Sequence, residues 1–211
     1  MPDLSGLFRK TMLTFLLSQV FQSAGAQGYL PRAFQTNLVR LTDKALEDYE
    51  LARSAFQEYV TRSSNNMRSP LFRATGHMEN CFGSLERARR YARRLLEDTE
   101  TTELVTGFSV LAPDVKRRIG TIRNAIEHTD DRLISEQIKD GDLVMLLMGE
   151  DAVELQQESI LYTELATWLT ELHALADKAA RFGAKYWAAE QHHAGDVLRR
   201  MHLIVGVGHL V

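Results

Sequence analysis

Apolar residues recur every three to four positions along most of this chain, and this spacing constrains its fold more than any other feature of the sequence. Between residues 33 and 61 the spacing is unbroken, which predicts one long amphipathic helix. Turn-forming residues and Pro70 then interrupt the pattern. A second stripe predicts a helix over about 72–97. A third helix is predicted after Pro113, because proline is well suited to a first helical turn.

The segment 143–156 departs from this helical spacing. A short apolar run, a Gly-Glu-Asp turn and the alternation of Val153 with Leu155 predict a β-hairpin. Helical spacing returns over about 161–179, and residues 184–203 predict one more helix. The expected fold class is therefore mainly α, with a small β-hairpin insertion.

No long linker, low-complexity tract or internal repeat divides the sequence. We therefore expect a single helical domain over 1–211. Within it we expect an N-terminal docking helix at 1–30, a helical core at 33–181 that includes the hairpin at 143–156, and a C-terminal helix and tail at 184–211.

The N-terminal segment allows two interpretations. Arg9 and Lys10, an apolar run and the small residues at 24–26 are arranged as in a secretory signal peptide. Polar residues interrupt the run, however, and apolar residues from Leu4 to Val20 follow amphipathic helical spacing. The run is too short to span a bilayer. We favour a helix that docks on the rest of the chain, and we expect no membrane association.

Charge and cysteine content exclude several classes of function. The net charge is −3, so binding to nucleic acid would have to depend on local basic patches. The single cysteine, Cys81, excludes an internal disulfide and a cysteine-based zinc site, and it suits a reducing cytoplasm. The adjacent His192 and His193 project about 100° apart on a helix and cannot easily bind one ion. We expect neither a metal nor another cofactor.

The stretch IRNAIEHTDDRL at 122–133 is the most informative for function. On one continuous helix, Ile122, Ile126 and Leu133 fall on the core side, together with Ile119. His128 lies about 140° from the centre of that side. The outer face that it occupies also contains Arg117, Thr121, Asn124 and Asp131. His128 should therefore face solvent or a partner.

Two interpretations of Arg123 and His128 remain open on physical grounds. Arg123 could simply pair with Glu127 one turn later on a solvated helix face. Alternatively, these residues could cleave RNA without a metal: histidine moves protons near neutral pH, and arginine stabilises charge on the phosphoryl oxygens. Asn124 could orient the histidine or bind phosphate. Because Arg123 and His128 are five positions apart, a kink, a helix start near Arg123 or a second subunit would be needed to bring them together.

The sequence from Arg123 to His128 resembles the R-polar-x-x-x-H motif of HEPN domains (higher eukaryotes and prokaryotes nucleotide-binding), and the following Thr-Asp-Asp-Arg is also similar. The resemblance covers about residues 35–180. It implies an antiparallel helical bundle that forms a homodimer and brings two motifs together in a cleft. In an active member, Arg123 would stabilise the transition state, Asn124 would support it, and His128 would act as general acid and base.

The resemblance also implies what such a protein does. The expected function is that of a metal-independent endoribonuclease, a toxin or phage-defence effector with RNA as its substrate and an antitoxin or regulatory protein as a partner. The alternative is a catalytically inactive HEPN-like module that binds nucleotide, RNA or protein. A third hypothesis is a purely structural helical protein.

A basic segment at 86–98 offers a candidate surface for RNA. Arg87, Arg90 and Arg94 have the spacing of one helical face and could follow phosphates, with Tyr91 stacking on a base. Arg117 would add a contact on the face that carries His128. The alternative is a solvated face with Tyr91 packed inward.

Overall fold

The computed structural model describes residues 1–7, 29–61, 68–96, 107–137, 145–155 and 158–180. Its helices are α1 (Tyr29–Thr61), α2 (Arg68–Leu96), α3 (Pro113–Glu127), α4 (Thr129–Ile134) and α5, which includes residues 162–180. Its strands are β1 (Leu147–Met148), β2 (Ala152–Leu155) and β3 (Glu158–Leu161). The prediction of a mainly helical fold with a small antiparallel β insertion is confirmed. Among these residues, no helix is long and apolar enough to cross a membrane.

Helices α1 and α2 pack closely against each other. They are antiparallel, because Glu58 near the end of α1 pairs with Arg73 near the start of α2, whereas Asp48 further back approaches His77 further along. Their apolar stripes are buried against each other and against α3, α5 and the sheet in one hydrophobic cluster. Burial of these stripes is the main contribution to the stability of such helices.

The start of α2 differs from the prediction. The helix was expected to begin after Pro70, at about residue 72, but it begins at Arg68 and includes Pro70 in its first turn. Proline is accommodated there because the first backbone N–H groups of a helix have no partner within the helix.

The N-terminal residues contact α1 directly. Residues Ser5–Leu7 form a 3₁₀ turn, and the Leu4 side chain is buried. The Leu4 backbone N–H donates to Glu50 Oε1 at 2.7 Å, and the Tyr49 hydroxyl donates to the Pro2 carbonyl at 3.1 Å. The remainder of the docking helix predicted at 1–30, up to residue 28, and the C-terminal helix and tail predicted at 184–211 lie outside the described residues.

The β insertion has three strands instead of the two expected. Strands β1 and β2 pair with Met148 opposite Val153, and β3 adds to β2 with Ile160 opposite Val153. Val153, Leu155 and Ile160 are buried, while their neighbours along the strands are less buried or exposed. The third strand was missed because it has four residues with one buried apolar side chain, too little alternation to be recognised.

Helices α3 and α4 are separated at His128, and this corrects the prediction of one helix through Leu133. Ile119 and Ile122 are buried as predicted, but Leu133 is 48% exposed. The Thr129 hydroxyl donates at 2.5 Å to the Ala125 carbonyl, which the Thr129 N–H would use in a continuous helix. Thr42, Thr121 and Thr167 make the same bond inside continuous helices, so the bond accompanies the break and does not by itself cause it. The apolar stripe does not continue past the break.

Contacts distant in sequence fix the start of α3. Before it, Ser109 Oγ and the Val110 N–H both donate to the Glu171 carboxylate of α5. Within it, the Arg118 guanidinium donates to both Glu164 oxygens, at 2.8 and 3.0 Å, and to the Ser159 carbonyl at 2.8 Å. It also lies 5.4 Å from the centre of the Trp168 ring. Arg118 therefore ties α3 to β3 and α5.

Candidate functional site

The three residues of the motif lie at the C-terminal end of α3. Arg123 and Asn124 are in its last turn, and His128 occupies the junction between α3 and α4. The His128 side chain is 62% exposed, so it faces outward as the helical wheel predicts. His128 itself has non-helical backbone angles, φ −104° and ψ 8°.

The His128 imidazole has a carboxylate neighbour. Its Nδ1 lies 3.5 Å from Asp131 Oδ2, at an exposed position in the first turn of α4. A carboxylate beside one ring nitrogen favours a proton on that nitrogen and leaves the other free to exchange protons with a ligand. Histidines that act as general bases are often oriented in this way by a third group.

The Arg123 guanidinium has two neighbours on its own helix. Its Nη1 donates to Asn124 Oδ1 at 3.1 Å, and its Nη2 lies 2.5 Å from Glu127 Oε2. Among the described residues, neither a hydrogen bond nor an ion pair joins Arg123 to His128. Within one chain, Arg123 therefore contacts Asn124, whereas His128 contacts Asp131 and neither of these two residues.

Two exposed apolar side chains follow the motif. Leu133 is 48% exposed and Ile134 is 83% exposed, both on the short helix α4. Apolar side chains of this size favour burial in a contact, and a cluster beside polar functional groups is typical of an interaction surface.

The predicted RNA-binding arginines do not lie on one common surface feature. Arg87 donates to the Gly83 carbonyl at 3.0 Å, and Arg117 pairs with Glu158 of β3. Arg90 and Arg94, by contrast, line a groove of about 370 Å³ between α2 and the first turn of α3. Tyr91 is half-buried, and its ring centroid lies 5.9 Å from that of Phe34 on α1. The inward packing of Tyr91 that we considered is the one observed.

The groove also contains cations that the sequence argument did not select. Its lining consists of Glu86, Arg89, Arg90, Arg93, Arg94 and Lys116. Arg89 could have been recognised as a buried arginine, since it lies four positions after Leu85 and three before Ala92, both of which are fully buried. Lys116 could not, because its position beside α2 depends on how two distant helices pack.

Glu86 and Arg89 form a buried ion pair beneath this groove. Arg89 is 1% exposed, and its Nε and Nη2 donate to the two Glu86 carboxylate oxygens at 2.8 and 3.0 Å. Arg90 Nε donates to the same carboxylate at 3.0 Å. Burial alone would raise the pKa of Glu86, but the hydrogen bonds and charges of the two arginines outweigh it and lower that pKa.

Cysteine and metal-binding side chains do not form a second candidate site among the described residues. Cys81 is fully buried, and burial raises the pKa of its thiol, so it is unsuited to act as a nucleophile. Within the described ranges, no three histidine, cysteine, aspartate or glutamate side chains are grouped so as to hold a metal ion. The histidines at 192, 193, 202 and 209 lie outside the described residues.

Comparisons with protein-family models, with curated proteins and with solved structures found no match to this chain.

Proposed function

We propose that this chain is a metal-independent endoribonuclease of the HEPN type that acts as a homodimer. The observation that carries the proposal is the placement of His128: an exposed imidazole at a helix junction, with the Asp131 carboxylate beside its Nδ1. Arg123 and Asn124 lie one turn before it on the same helix end. A toxin or phage-defence role in the cytoplasm, with an antitoxin or regulatory protein as partner, follows from the HEPN resemblance.

In this proposal His128 removes the proton from a ribose 2′-hydroxyl. The 2′-oxygen attacks the adjacent phosphorus, the bond to the 5′-oxygen breaks, and a protonated histidine returns a proton to that oxygen. The products are a 2′,3′-cyclic phosphate and a 5′-hydroxyl end. Negative charge builds on the phosphoryl oxygens during the step, and a guanidinium stabilises it.

Arg123 has to exchange its carboxylate partner for the phosphate. Its partner Glu127 is 43% exposed, and exposed ion pairs of this kind stabilise a protein by about 0.5 kcal/mol or less. A phosphate group can therefore displace Glu127 at small cost. Since no contact joins Arg123 to His128 within one chain, the His128 of a second copy is the natural complement, and the exposed Leu133 and Ile134 would be buried between the copies.

The test is RNA cleavage in EDTA with purified variants. We expect His128→Ala and Arg123→Ala each to lower the rate by roughly 10²-fold or more. Arg73→Ala is the matched control, because Arg73 is an exposed arginine paired with Glu58 on another helix, and it should cleave like the wild type. Full activity in His128→Ala, with thermal melting unchanged, would disprove the proposal.

The inactive binding module remains a second candidate, and one observation favours it. The guanidinium of Arg123 is engaged by Asn124 and Glu127 together. If that engagement persists when RNA binds, the protein should bind RNA without turnover, and Glu127→Gln should tighten binding without producing cleavage. Cleavage by the wild type that His128→Ala abolishes would exclude this candidate.

A further inference from the structure

The groove between α2 and α3 concentrates positive charge to a degree that the net charge of the chain does not suggest. Five cationic side chains and one carboxylate line it. The carboxylate, Glu86, already accepts hydrogen bonds from Arg89 and Arg90. Glu86 is the one acidic side chain among the lining residues that the structure describes.

Arg89 provides a second, independent observation. It is 1% exposed, and although its Nε and Nη2 bond to Glu86, its Nη1 has no hydrogen-bond partner among the residues that the structure describes. A buried guanidinium with an unpaired N–H group is costly, because that group has given up water without gaining an acceptor. Because Arg89 lines the groove, an anion bound there would approach this guanidinium and could supply the acceptor.

Two further cations approach the groove from different helices. Arg93 on α2 and Lys116 on α3 are exposed, and neither side chain forms a hydrogen bond or an ion pair with the part of the chain that the structure describes. Cations that are held apart by two packed helices and converge on one space are suited to a single, highly charged ligand.

We propose that this groove is a binding site for a phosphate-bearing anion of high charge density, a phosphomonoester or a pyrophosphate group, with Arg89 as its buried anchor. A volume of about 370 Å³ lies at the lower end of the range for small-molecule sites. Arginine is the residue of choice for phosphate, because its planar fork matches two phosphate oxygens. A phosphodiester backbone has one charge per phosphate, so it would interact less strongly with the cationic side chains of the groove.

The site is separate from the motif at His128. Lys116 is in the first turn of α3 and His128 lies beyond its last turn, about 18 Å further along a regular helix axis. Binding to the groove can therefore be measured without reference to RNA cleavage, and His128→Ala should bind the anion like the wild type.

The test is calorimetric titration with inorganic pyrophosphate and inorganic phosphate at low ionic strength. We expect Arg93→Ala and Lys116→Ala each to weaken pyrophosphate binding roughly tenfold, which is the effect of removing one charge-assisted hydrogen bond. Arg73→Ala is the control for loss of a positive charge on α2 outside the groove. A dissociation constant weaker than about 1 mM for the wild type would overturn the proposal.

Two further results would also overturn it. The first is equal weakening in Arg87→Ala, because Arg87 lies on α2 outside the groove and would then report a diffuse basic surface. The second is binding of a 5′-hydroxyl single-stranded RNA that Arg93→Ala and Lys116→Ala weaken while pyrophosphate does not compete, which would assign the groove to the RNA backbone.

The anchor itself needs a conservative variant, since losing Arg89 leaves Glu86 buried without its main partner. Arg89→Lys keeps the charge and removes the fork. In protein shown by melting to be folded, we expect its pyrophosphate affinity to fall at least as much as in Arg93→Ala. Undiminished affinity in folded Arg89→Lys would remove Arg89 from the site and overturn the proposal as stated.

Discussion

The two ends of α3 are held in place by different kinds of contact. Near its start, Arg118 bonds to Glu164 and Ser159, residues more than forty positions away. Near its end, Arg123 bonds to Asn124 and Glu127, and His128 approaches Asp131, all within four positions. The first end is an anchor built by the tertiary fold, whereas the second is a local arrangement presented to solvent. An exposed, locally held set of polar groups is free to meet a ligand or a second subunit.

The largest expected effect is a difference in stability between variants at the two ends of α3. Arg118→Ala removes three charge-assisted hydrogen bonds at a side chain that is mostly buried, and we expect it to lower the free energy of unfolding by about 2–3 kcal/mol. Arg123→Ala removes a partly exposed local pair and should cost about 0.5 kcal/mol or less. Urea unfolding of both variants measures the difference, and equal losses would contradict the comparison.

Arg117→Ala is the control for this experiment. Arg117 neighbours Arg118 and pairs with Glu158, but 65% of its side chain is exposed. Its substitution should change stability by well under 1 kcal/mol. A loss as large as that of Arg118→Ala would mean that any charge removed from the start of α3 has the same effect.

The pH dependence of stability provides a second test of the contact made by Arg118. The hydrogen bond from Arg118 is the main cause of a lowered pKa at Glu164, whose ordinary value is 4.5. Because the folded pKa is the lower one, this contribution to stability is complete above about pH 5 and is lost as pH falls through the folded pKa. The stability difference between the wild type and Arg118→Ala should therefore shrink below about pH 4. Unfolding curves at pH 7, 5 and 3.5 test this, and a constant difference would be evidence against the ion pair.

The last prediction is a small gain in stability just after α4. Glu136 follows α4 with φ 55°, and the Gln137 N–H donates to the Arg132 carbonyl at 2.9 Å, as in a Schellman cap. Glycine adopts this backbone without strain, so Glu136→Gly should raise the free energy of unfolding by about 1 kcal/mol.

Ser135→Gly is the matched control for the cap. Ser135 has an ordinary φ of −86°, so glycine there relieves no strain and adds flexibility to the unfolded chain. We expect no gain in its melting temperature. If both variants gained equally, strain at Glu136 would not be the cause.

The helices were predictable because their apolar spacing is a local property of the sequence. Residues 33–61 and the stripe of α2 gave the two longest helices to within a few residues. Leu133 is the exception: its spacing fits the stripe of α3, but α3 ends at Glu127 and Leu133 lies on α4, where it is 48% exposed. The third strand was missed because a strand of four residues depends on its partner for its structure.

In the candidate site, too, local contacts could be predicted from the sequence, whereas contacts between distant segments could not. The outward face of His128 and the pairing of Arg123 with Glu127 could be derived from helical geometry, since every contact involved is local. The groove could not, because Arg93 and Lys116 become neighbours only when α2 packs against α3. The neutralisation of Arg117 by Glu158 also depends on where β3 lies.

The buried pair of Arg89 and Glu86 fixes the electrical character of the groove across a wide pH range. Arginine does not lose its proton in proteins, and the hydrogen bonds and charges of Arg89 and Arg90 lower the pKa of Glu86, which favours its ionised form. The positive charge of the four lining arginines is therefore constant at every pH that a cell experiences. Any change in affinity near neutral pH that involves these groups would then report ionisation of the bound anion, whose second phosphate proton is lost near pH 6.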